Sequence, residues 1–235
     1  MNGIGQHNDV QILLHEAGHA FHAVEAARLP YLQQMNPPME FNEVASMAME
    51  LLTAPFLDTP GGFYTPAQAA RARIEQLEQI ILFWPYMAVI DAFQHWAYTH
   101  PSLAADTLHC DERWHELWDR FMPGVDWSGM EAELVTGWHR RLHVFRAPLY
   151  YVEYGLASLG AVQVWRNALA DPTAAFERYR AALRLGGTAS LPDLYTAAGA
   201  RFSSDASTLA EAIGLLERTI DELERRVAHE VSVGE

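Results

Sequence analysis

The segment "QILLHEAGHAFHAVEAA" carries His15, Glu16 and His19 within a stretch that is otherwise rich in Ile, Leu, Ala and Phe. In an α-helix, residues four apart lie nearly above one another, so His15 and His19 can direct ring nitrogens toward one point. Imidazole nitrogens at about 2.0–2.1 Å are typical ligands of Zn²⁺. Glu16 would lie beside such an ion, where a carboxylate can take a proton from water and deliver it to a leaving amine. The H-E-x-x-H spacing therefore predicts a zinc site with hydrolytic chemistry.

Two histidines leave a catalytic zinc ion one protein ligand short of the usual three. The nearest source of a third is a predicted helix, "EFNEVASMAMELL", whose apolar stripe has helical spacing. Glu43 borders this stripe, where a carboxylate is costly unless it is paired or bound to metal. Glu43 is thus the first candidate, and Glu50 is a fallback ligand, a supporting carboxylate or a solvated one. His22, three residues after His19, lies too far along the helix axis to share the ion and is interpreted as a packing or supporting residue.

A third group of side chains lies in "HVFRAPLYYVEYG", which contains His143, Tyr150 and Tyr154. Phenol and imidazole donors near a metal-bound carbonyl can stabilise the oxyanion that forms when water attacks a peptide bond. The alternative is an aromatic core patch whose tyrosine hydroxyls reach water. From the residues alone, the core patch is the preferred interpretation.

The combination of "LLHEAGHAFH" with "FNEVAS" some two dozen residues later resembles the oligoendopeptidase F and thimet oligopeptidase family of zinc peptidases. The resemblance implies one Zn²⁺ per chain, held by His15, His19 and Glu43, with Glu16 as the residue that activates water. It also implies a metalloendopeptidase that hydrolyses short, unfolded oligopeptides.

The resemblance extends to the tyrosine-rich segment, because the family carries a His followed by a Pro-aromatic-Tyr run that ends in a further Tyr. It implies that His143 and one or two of the tyrosines bind substrate and stabilise the transition state. The chain departs from the family pattern at Val152 and Ala147, where family members often have tyrosine. Tyr154 is therefore the preferred candidate, followed by Tyr150.

Helix start signals recur along the chain, whereas alternating β-branched stretches that would indicate strands are absent from the sequence. Thr65-Pro66 with Gln68 predicts a capped helix that continues toward His100, Asn36-Pro37 predicts an N-cap, and Asp171-Pro172 predicts another helix start. The expected fold is all-α and zincin-like, with the H-E-x-x-H helix packed against the Glu43 helix. Residues 1–235 are expected to form a single catalytic domain, without the N-terminal helical half that family members have.

The composition limits the classes of partner. The formal net charge of -14 argues against nucleic acid as a ligand, because phosphate binding depends on clustered Lys and Arg. No apolar run approaches the roughly 20 residues of a membrane span, and no secretory signal is visible. The single cysteine, Cys110, is typical of a reducing compartment, so a cytoplasmic location is expected. An exposed cleft would favour self-association into a homo-oligomer.

Two alternatives to an independent peptidase remain open at this point. The first is a zinc-binding helical module that is catalytically weak or silent without a partner or the missing N-terminal half. The second is a helical scaffold whose motifs are accidental, which metal analysis would reveal by a lack of zinc.

Overall fold

The computed structural model describes residues 3–62 and 64–233, and within these ranges the chain is helical and contains no strand. The all-α prediction is confirmed. The α-helices are α1 His7–Ala26, α2 Leu32–Met35, α3 Met39–Thr53, α4 Pro66–Thr99, α5 Pro101–Ala104, α6 Thr107–Phe121, α7 Glu131–Val135, α8 Leu142–Arg146, α9 Tyr151–Ala170, α10 Pro172–Leu183, α11 Leu191–Ala197 and α12 Ala206–Val233. Short 3₁₀ helices cover Ala54–Phe56 and Gly137–Arg140. Among the described helices, none has the length and apolar content needed to span a bilayer.

The described residues divide into two compact units. The first contains the residues up to Gln79 and those from Leu156 onward, and the second contains Ile80–Gly155. The prediction of a single catalytic domain over residues 1–235 stays a prediction.

In the first unit, the backbones of α1 and α3 approach closely at Gly18. A Cβ atom at this position would lie 2.5 Å from the Cα atom of Ser46 and 2.9 Å from the carbonyl oxygen of Ala45. Only a residue without a side chain fits between the two helices here. This contact explains why the helix tolerates a glycine in its interior, where glycine costs about 1 kcal/mol relative to alanine.

The apolar face of α3 forms the centre of the first unit. Phe41, Val44 and Ala48 are fully buried, and the hydroxyl of Tyr179 on α10 donates a hydrogen bond to the carbonyl oxygen of Ala45 at 2.7 Å. Helix α10 also packs against α1, where Phe21 stacks on Tyr179 with 6.2 Å between ring centroids. Helix α3 is therefore held on both sides, and its polar edge has a fixed position relative to α1.

Two of the three helix starts considered above are confirmed. The backbone N–H of Thr65 donates to Gln68 Oε1 at 3.0 Å at the start of α4, and Asp171 accepts from the N–H of Ala174 at 3.0 Å before α10. The N-cap prediction for Asn36 is wrong, because Asn36 ends α2 and α3 begins at Met39 after Pro38. The carbonyl oxygen of Gln34 instead accepts a hydrogen bond from the N–H of Gly187 at 2.7 Å, so a distant segment determines the local conformation.

The second unit has its own aromatic core. Phe93, Trp114 and Trp138 are buried together with Val89, Ile90 and Leu117. The indole N–H of Trp138 donates to Asp111 Oδ1 at 2.7 Å, and that of Trp84 donates to the carbonyl oxygen of Gly155 at 3.2 Å. The core thus joins the second half of α4 to α6 and to the segment that leads into α9.

Candidate metal centre

The side chains of His15 and His19 on α1 and Glu43 on α3 converge at the interface of the two helices. The Nε2 atoms of His15 and His19 lie 3.3 Å and 3.7 Å from Glu43 Oε2, and the candidate donor atoms all lie within 4.8 Å of one another. Two ligands that are each 2.0–2.2 Å from a tetrahedral ion are about 3.4 Å apart. The spacing of these donors therefore fits a zinc ion between them without a change of backbone.

The carboxylate of Glu43 is buried and is held in place by Ser46, one helical turn away. The hydroxyl of Ser46 lies 3.0 Å from both Glu43 Oε2 and the Glu43 carbonyl oxygen. Burial raises the pKa of Glu43, but the hydrogen bond with His15, the charge of His19 and the bond with Ser46 outweigh it, and the pKa is lowered. Glu43 is thus ionised and oriented as a metal ligand must be.

His15 contacts a second carboxylate through its other ring nitrogen. Its Nδ1 atom lies 2.7 Å from Glu50 Oε1, and Gln76 on α4 donates to Glu50 Oε2 at 3.4 Å. A carboxylate that accepts from Nδ1–H leaves Nε2 free as the ligand atom, which is the usual arrangement for histidines that bind metals. Burial lowers the pKa of His15, but Glu43 and Glu50 together outweigh it and raise the pKa to about 10 in the metal-free chain. The two carboxylates thus create a strong preference for a positive charge at this position.

Glu16 is exposed and lies beside His15 on the wall of an open cavity of about 310 Å³. The remaining wall is formed by residues of α1, α3 and α4, namely Asn8, Gln11, Ile12, Glu50, Gln76 and Gln79. A carboxylate in this place is accessible to water and to a ligand that enters the cavity. It has the access that a general base requires.

His22 and Glu25, the other polar residues on the inner face of α1, are not part of the donor cluster. His22 is buried in edge-to-face contact with Phe41, and burial lowers its pKa to about 4, so it is a neutral packing residue. Glu25 accepts hydrogen bonds from Arg180 Nε at 2.9 Å and Arg184 Nε at 2.7 Å, which ties α1 to α10.

His143, Tyr150 and Tyr154 form a cluster in the second unit. The ring of His143 stacks on Tyr150 at 5.8 Å and meets Tyr154 edge-to-face at 5.9 Å. Gln94, which is buried, donates from Nε2 to the carbonyl oxygens of His143 and Ala147 at 3.2 Å and 3.4 Å. The segment that carries these rings is therefore anchored to α4, and the three side chains form one group. Their role in catalysis stays a prediction.

Sequence reasoning missed two residues that support the candidate metal centre. Ser46 follows Glu43 by three residues, so its position one helical turn from a core-facing carboxylate could have identified it. Gln76 lies on α4, distant in sequence from both motifs, and no local pattern connects it with Glu50. Glu50 was predicted as a fallback ligand. The structure places it against Nδ1 of His15, outside the cluster of donor atoms.

Known proteins resemble this chain in sequence and in fold. Residues 4–214 match the model of peptidase family M3. The fold matches PZ peptidase A, solved with an inhibitor, with a TM-score of 0.85 at 26% identity over 94% of this chain and 38% of that one. A protein assigned to oligoendopeptidase F matches with a TM-score of 0.85 at 30% identity over the same shares of the two chains. An oligoendopeptidase F assignment from Bacillus anthracis gives a TM-score of 0.71 at 26% identity over 97% of this chain and 36% of that one.

The chain thus spans less than two fifths of each of these three solved chains. The comparison with curated proteins finds no match. The family match nevertheless covers both helices of the candidate metal centre and the tyrosine cluster. The resemblance inferred from the two motifs is confirmed, and the chain belongs to peptidase family M3.

Proposed function

We propose that this chain is the catalytic part of a zinc-dependent metalloendopeptidase that hydrolyses short, unfolded oligopeptides. The observation that carries the proposal is the convergence of two imidazole nitrogens and one buried carboxylate, whose candidate donor atoms all lie within 4.8 Å of one another. Membership of peptidase family M3 supports the reaction class. His15, His19 and Glu43 would hold one zinc ion per chain.

Each residue at the centre has a distinct role in this proposal. When bound, zinc would polarise the scissile carbonyl and lower the pKa of a water molecule. Glu16 accepts the proton of the attacking water and delivers it to the leaving nitrogen. Glu50, supported by Gln76, keeps the proton of His15 on Nδ1.

We further propose that the tyrosine cluster acts on the oxyanion of the tetrahedral intermediate. His143 and Tyr154 supply donors in the preferred assignment, and Tyr150 is the alternative to Tyr154. Hydrogen-bond donors that are oriented before the reaction are effective because they need not reorganise as charge develops. The stacking of His143 on Tyr150 and the anchor at Gln94 supply this orientation within the cluster.

The volume of the cavity beside Glu16 supports a small substrate. A volume of about 310 Å³ accommodates a few residues of an extended chain, and Ile12 adds an apolar contact on its wall. An open cavity of this size suits a short extended peptide better than the surface of a folded protein. We therefore propose unfolded oligopeptides as the substrate class.

The replacement Glu16→Gln tests the proposal. The variant should keep one zinc per chain but lose peptide hydrolysis, because glutamine preserves the shape of the side chain and cannot accept the proton. Glu78→Gln, which removes an exposed carboxylate from α4, is the matched control and should cleave a quenched peptide as fast as the wild type. Equal cleavage by Glu16→Gln and wild type would disprove the mechanism.

A second candidate function is a zinc-binding helical module that is silent alone. It is favoured by the fact that the chain spans only 38% of PZ peptidase A. Zinc content near one per chain, together with no cleavage of a diverse peptide library, would support this alternative. Cleavage that depends on Glu16 would exclude it.

A cytoplasmic location and self-association into a homo-oligomer are also proposed. The free thiol of Cys110 is buried in the second unit and is compatible with a reducing compartment. Analytical ultracentrifugation would test self-association, and fractionation of cells that express the chain would test location. The net charge of -14 supports the proposal that nucleic acid is not a partner.

A further inference from the structure

The second unit contains a cavity of about 100 Å³, distinct from the candidate metal centre, that is lined by indole rings. Trp114, Trp118 and Trp127 with Tyr86 form most of its wall, and this space is here called the tryptophan cavity. The ring of Trp118 stands edge-to-face against Trp127 at 5.4 Å and against Tyr86 at 5.8 Å. Its walls are therefore rigid aromatic surfaces that have a defined geometry.

The three tryptophans of this cavity share an unusual feature. Each Nε1 atom is buried, and none has a hydrogen-bond acceptor among the described residues. Trp84 and Trp138 of the same unit, by contrast, donate to a carbonyl and to a carboxylate. A buried N–H group without an acceptor costs about 1–3 kcal/mol, so an acceptor that enters the cavity and reaches these groups would be stabilised.

The nitrogen edge of Trp114 faces the space beside Gly137. A Cβ atom at Gly137 would lie 2.9 Å from Trp114 Nε1, closer than to the ring carbons Cε2 and Cζ2 at 3.4 Å and 3.6 Å. Trp114 is only 1% exposed, and Gly137 also lines the cavity. The glycine thus lets the backbone approach the nitrogen edge of Trp114 closely, beside the cavity that both residues line.

Charged side chains line the same cavity and select the sign of an occupant. Arg140 and Arg141 contribute two positive charges and Glu133 one negative charge, and all three residues are exposed. The guanidinium group of Arg141 lies over the ring of Tyr86 at 4.6 Å, and Arg140 Nη2 donates to the carbonyl oxygen of Glu133 at 3.3 Å. A cation would be repelled by the arginines and by the positive ends of the indole N–H dipoles. An anion would be attracted by the arginines and could accept hydrogen bonds from the indole N–H groups.

We propose that the tryptophan cavity binds a small carboxylate. The carboxylate oxygens accept from the indole N–H groups, and the short apolar body contacts the aromatic rings and Leu134. The volume equals that of about three water molecules at roughly 30 Å³ each, which suits a carboxylate with a body of one or two carbons. Arginine at the entrance provides long-range attraction for the negative charge.

Titration with sodium acetate, followed by the indole N–H signals in nitrogen-15 NMR spectra, tests the proposal on the intact chain. The chain has 7 tryptophans, each with one indole signal. The signals of Trp114, Trp118 and Trp127 should shift together and saturate with a single, shared dissociation constant in the millimolar range. The signals of Trp84 and Trp138, whose N–H groups already have acceptors, are internal controls and should not move. Tryptophan-to-phenylalanine variants assign each signal.

Two control titrations identify the chemistry. Acetamide, the neutral counterpart of acetate, should bind about tenfold more weakly or not at all, because hydrogen bonds to a charged acceptor are stronger. Sodium chloride at equal ionic strength should not reproduce the shifts, because it has no apolar body. Equal shifts with acetamide or chloride, or no saturable shift with acetate, would overturn the proposal.

Variants of the lining residues give effects of opposite sign. Arg140→Gln should weaken acetate binding by about two- to fivefold, and Glu133→Gln should strengthen it by a similar factor, as expected for exposed charges. Gly137→Ala should weaken or abolish binding, because the added methyl group would meet Trp114 Nε1 at 2.9 Å and displace the indole ring. If Gly137→Ala fails to fold, the two charge variants still decide, since identical acetate affinities in both would contradict the proposal.

Discussion

The contact between Glu50 and His15 allows a quantitative test of how the metal centre is organised. Glu50 Oε1 lies 2.7 Å from His15 Nδ1, and its side chain is 19% exposed, so water screens the interaction only in part. A hydrogen bond to a charged group contributes about 1.5–3 kcal/mol, and the amide oxygen of a glutamine would retain a fraction of this. We expect Glu50→Gln to raise the zinc dissociation constant about 10- to 100-fold, which corresponds to about 1.4–2.7 kcal/mol.

The assay is competition for zinc between the metal-stripped chain and a chromophoric chelator. Glu78→Gln removes the same charge from an exposed position on α4, and its dissociation constant should stay within about twofold of the wild type. Circular dichroism spectra of both variants check that their helices are retained. The comparison separates the orienting contact from the general effect of charge.

The effect of Glu50→Gln should also depend on pH. Glu43 and Glu50 raise the pKa of His15 to about 10 in the metal-free chain, so a proton competes with zinc below that pH. Loss of Glu50 lowers the pKa of His15, so it reduces the affinity of His15 for the competing proton as well as its affinity for zinc. The loss of zinc affinity should therefore be smaller at about pH 6.5 than at about pH 9.

If Glu50→Gln and Glu78→Gln bind zinc equally well at both pH values, Glu50 does not orient His15. The short contact would then be a surface ion pair without influence on the metal centre.

Three further predictions concern the helices around the centre. Gly18→Ala should destabilise the chain by about 1–3 kcal/mol, because the added methyl group meets the backbone at Ser46, and a thermal melt would contradict this if the midpoint did not fall. Glu25→Gln should cost about 1–3 kcal/mol, because it removes the carboxylate that Arg180 and Arg184 share. Since the pKa of Glu25 is lowered, this stability is present at neutral pH and lost on acidification, and urea unfolding at two pH values measures it. Zinc binding at about pH 8 should release about one proton from His15, and calorimetry in buffers of different ionisation enthalpy would refute this if no proton were released.

The local part of the candidate site could be predicted from sequence because it depends on helix periodicity. The i, i+4 relation of His15 and His19 places two nitrogens on one face, and the apolar stripe of α3 turns Glu43 toward the core. Each inference needs only the repeat of one helix. The pairing of the two helices followed from the need for a third ligand and from the family resemblance.

The supporting contacts could not be predicted because they depend on tertiary packing. Gln76 reaches Glu50 from α4, and no local pattern relates these positions. Asn36 does not cap a helix, because α3 begins only at Met39 after Pro38, and the adjoining Gln34 carbonyl binds Gly187, far along the chain. The unpaired indole N–H groups of Trp114, Trp118 and Trp127 could not be predicted either, since a sequence does not reveal which polar atoms lack acceptors.

The glycine contact between α1 and α3 has a consequence for metal exchange. Close packing of two backbones, rather than the cation, fixes the spacing of the imidazoles and the carboxylate. Dialysis against a chelator should therefore leave the helices in register, and the emptied chain should accept cobalt or manganese without refolding. Cobalt or manganese could then report on the coordination of the centre by spectroscopy, which the proposed zinc ion does not allow.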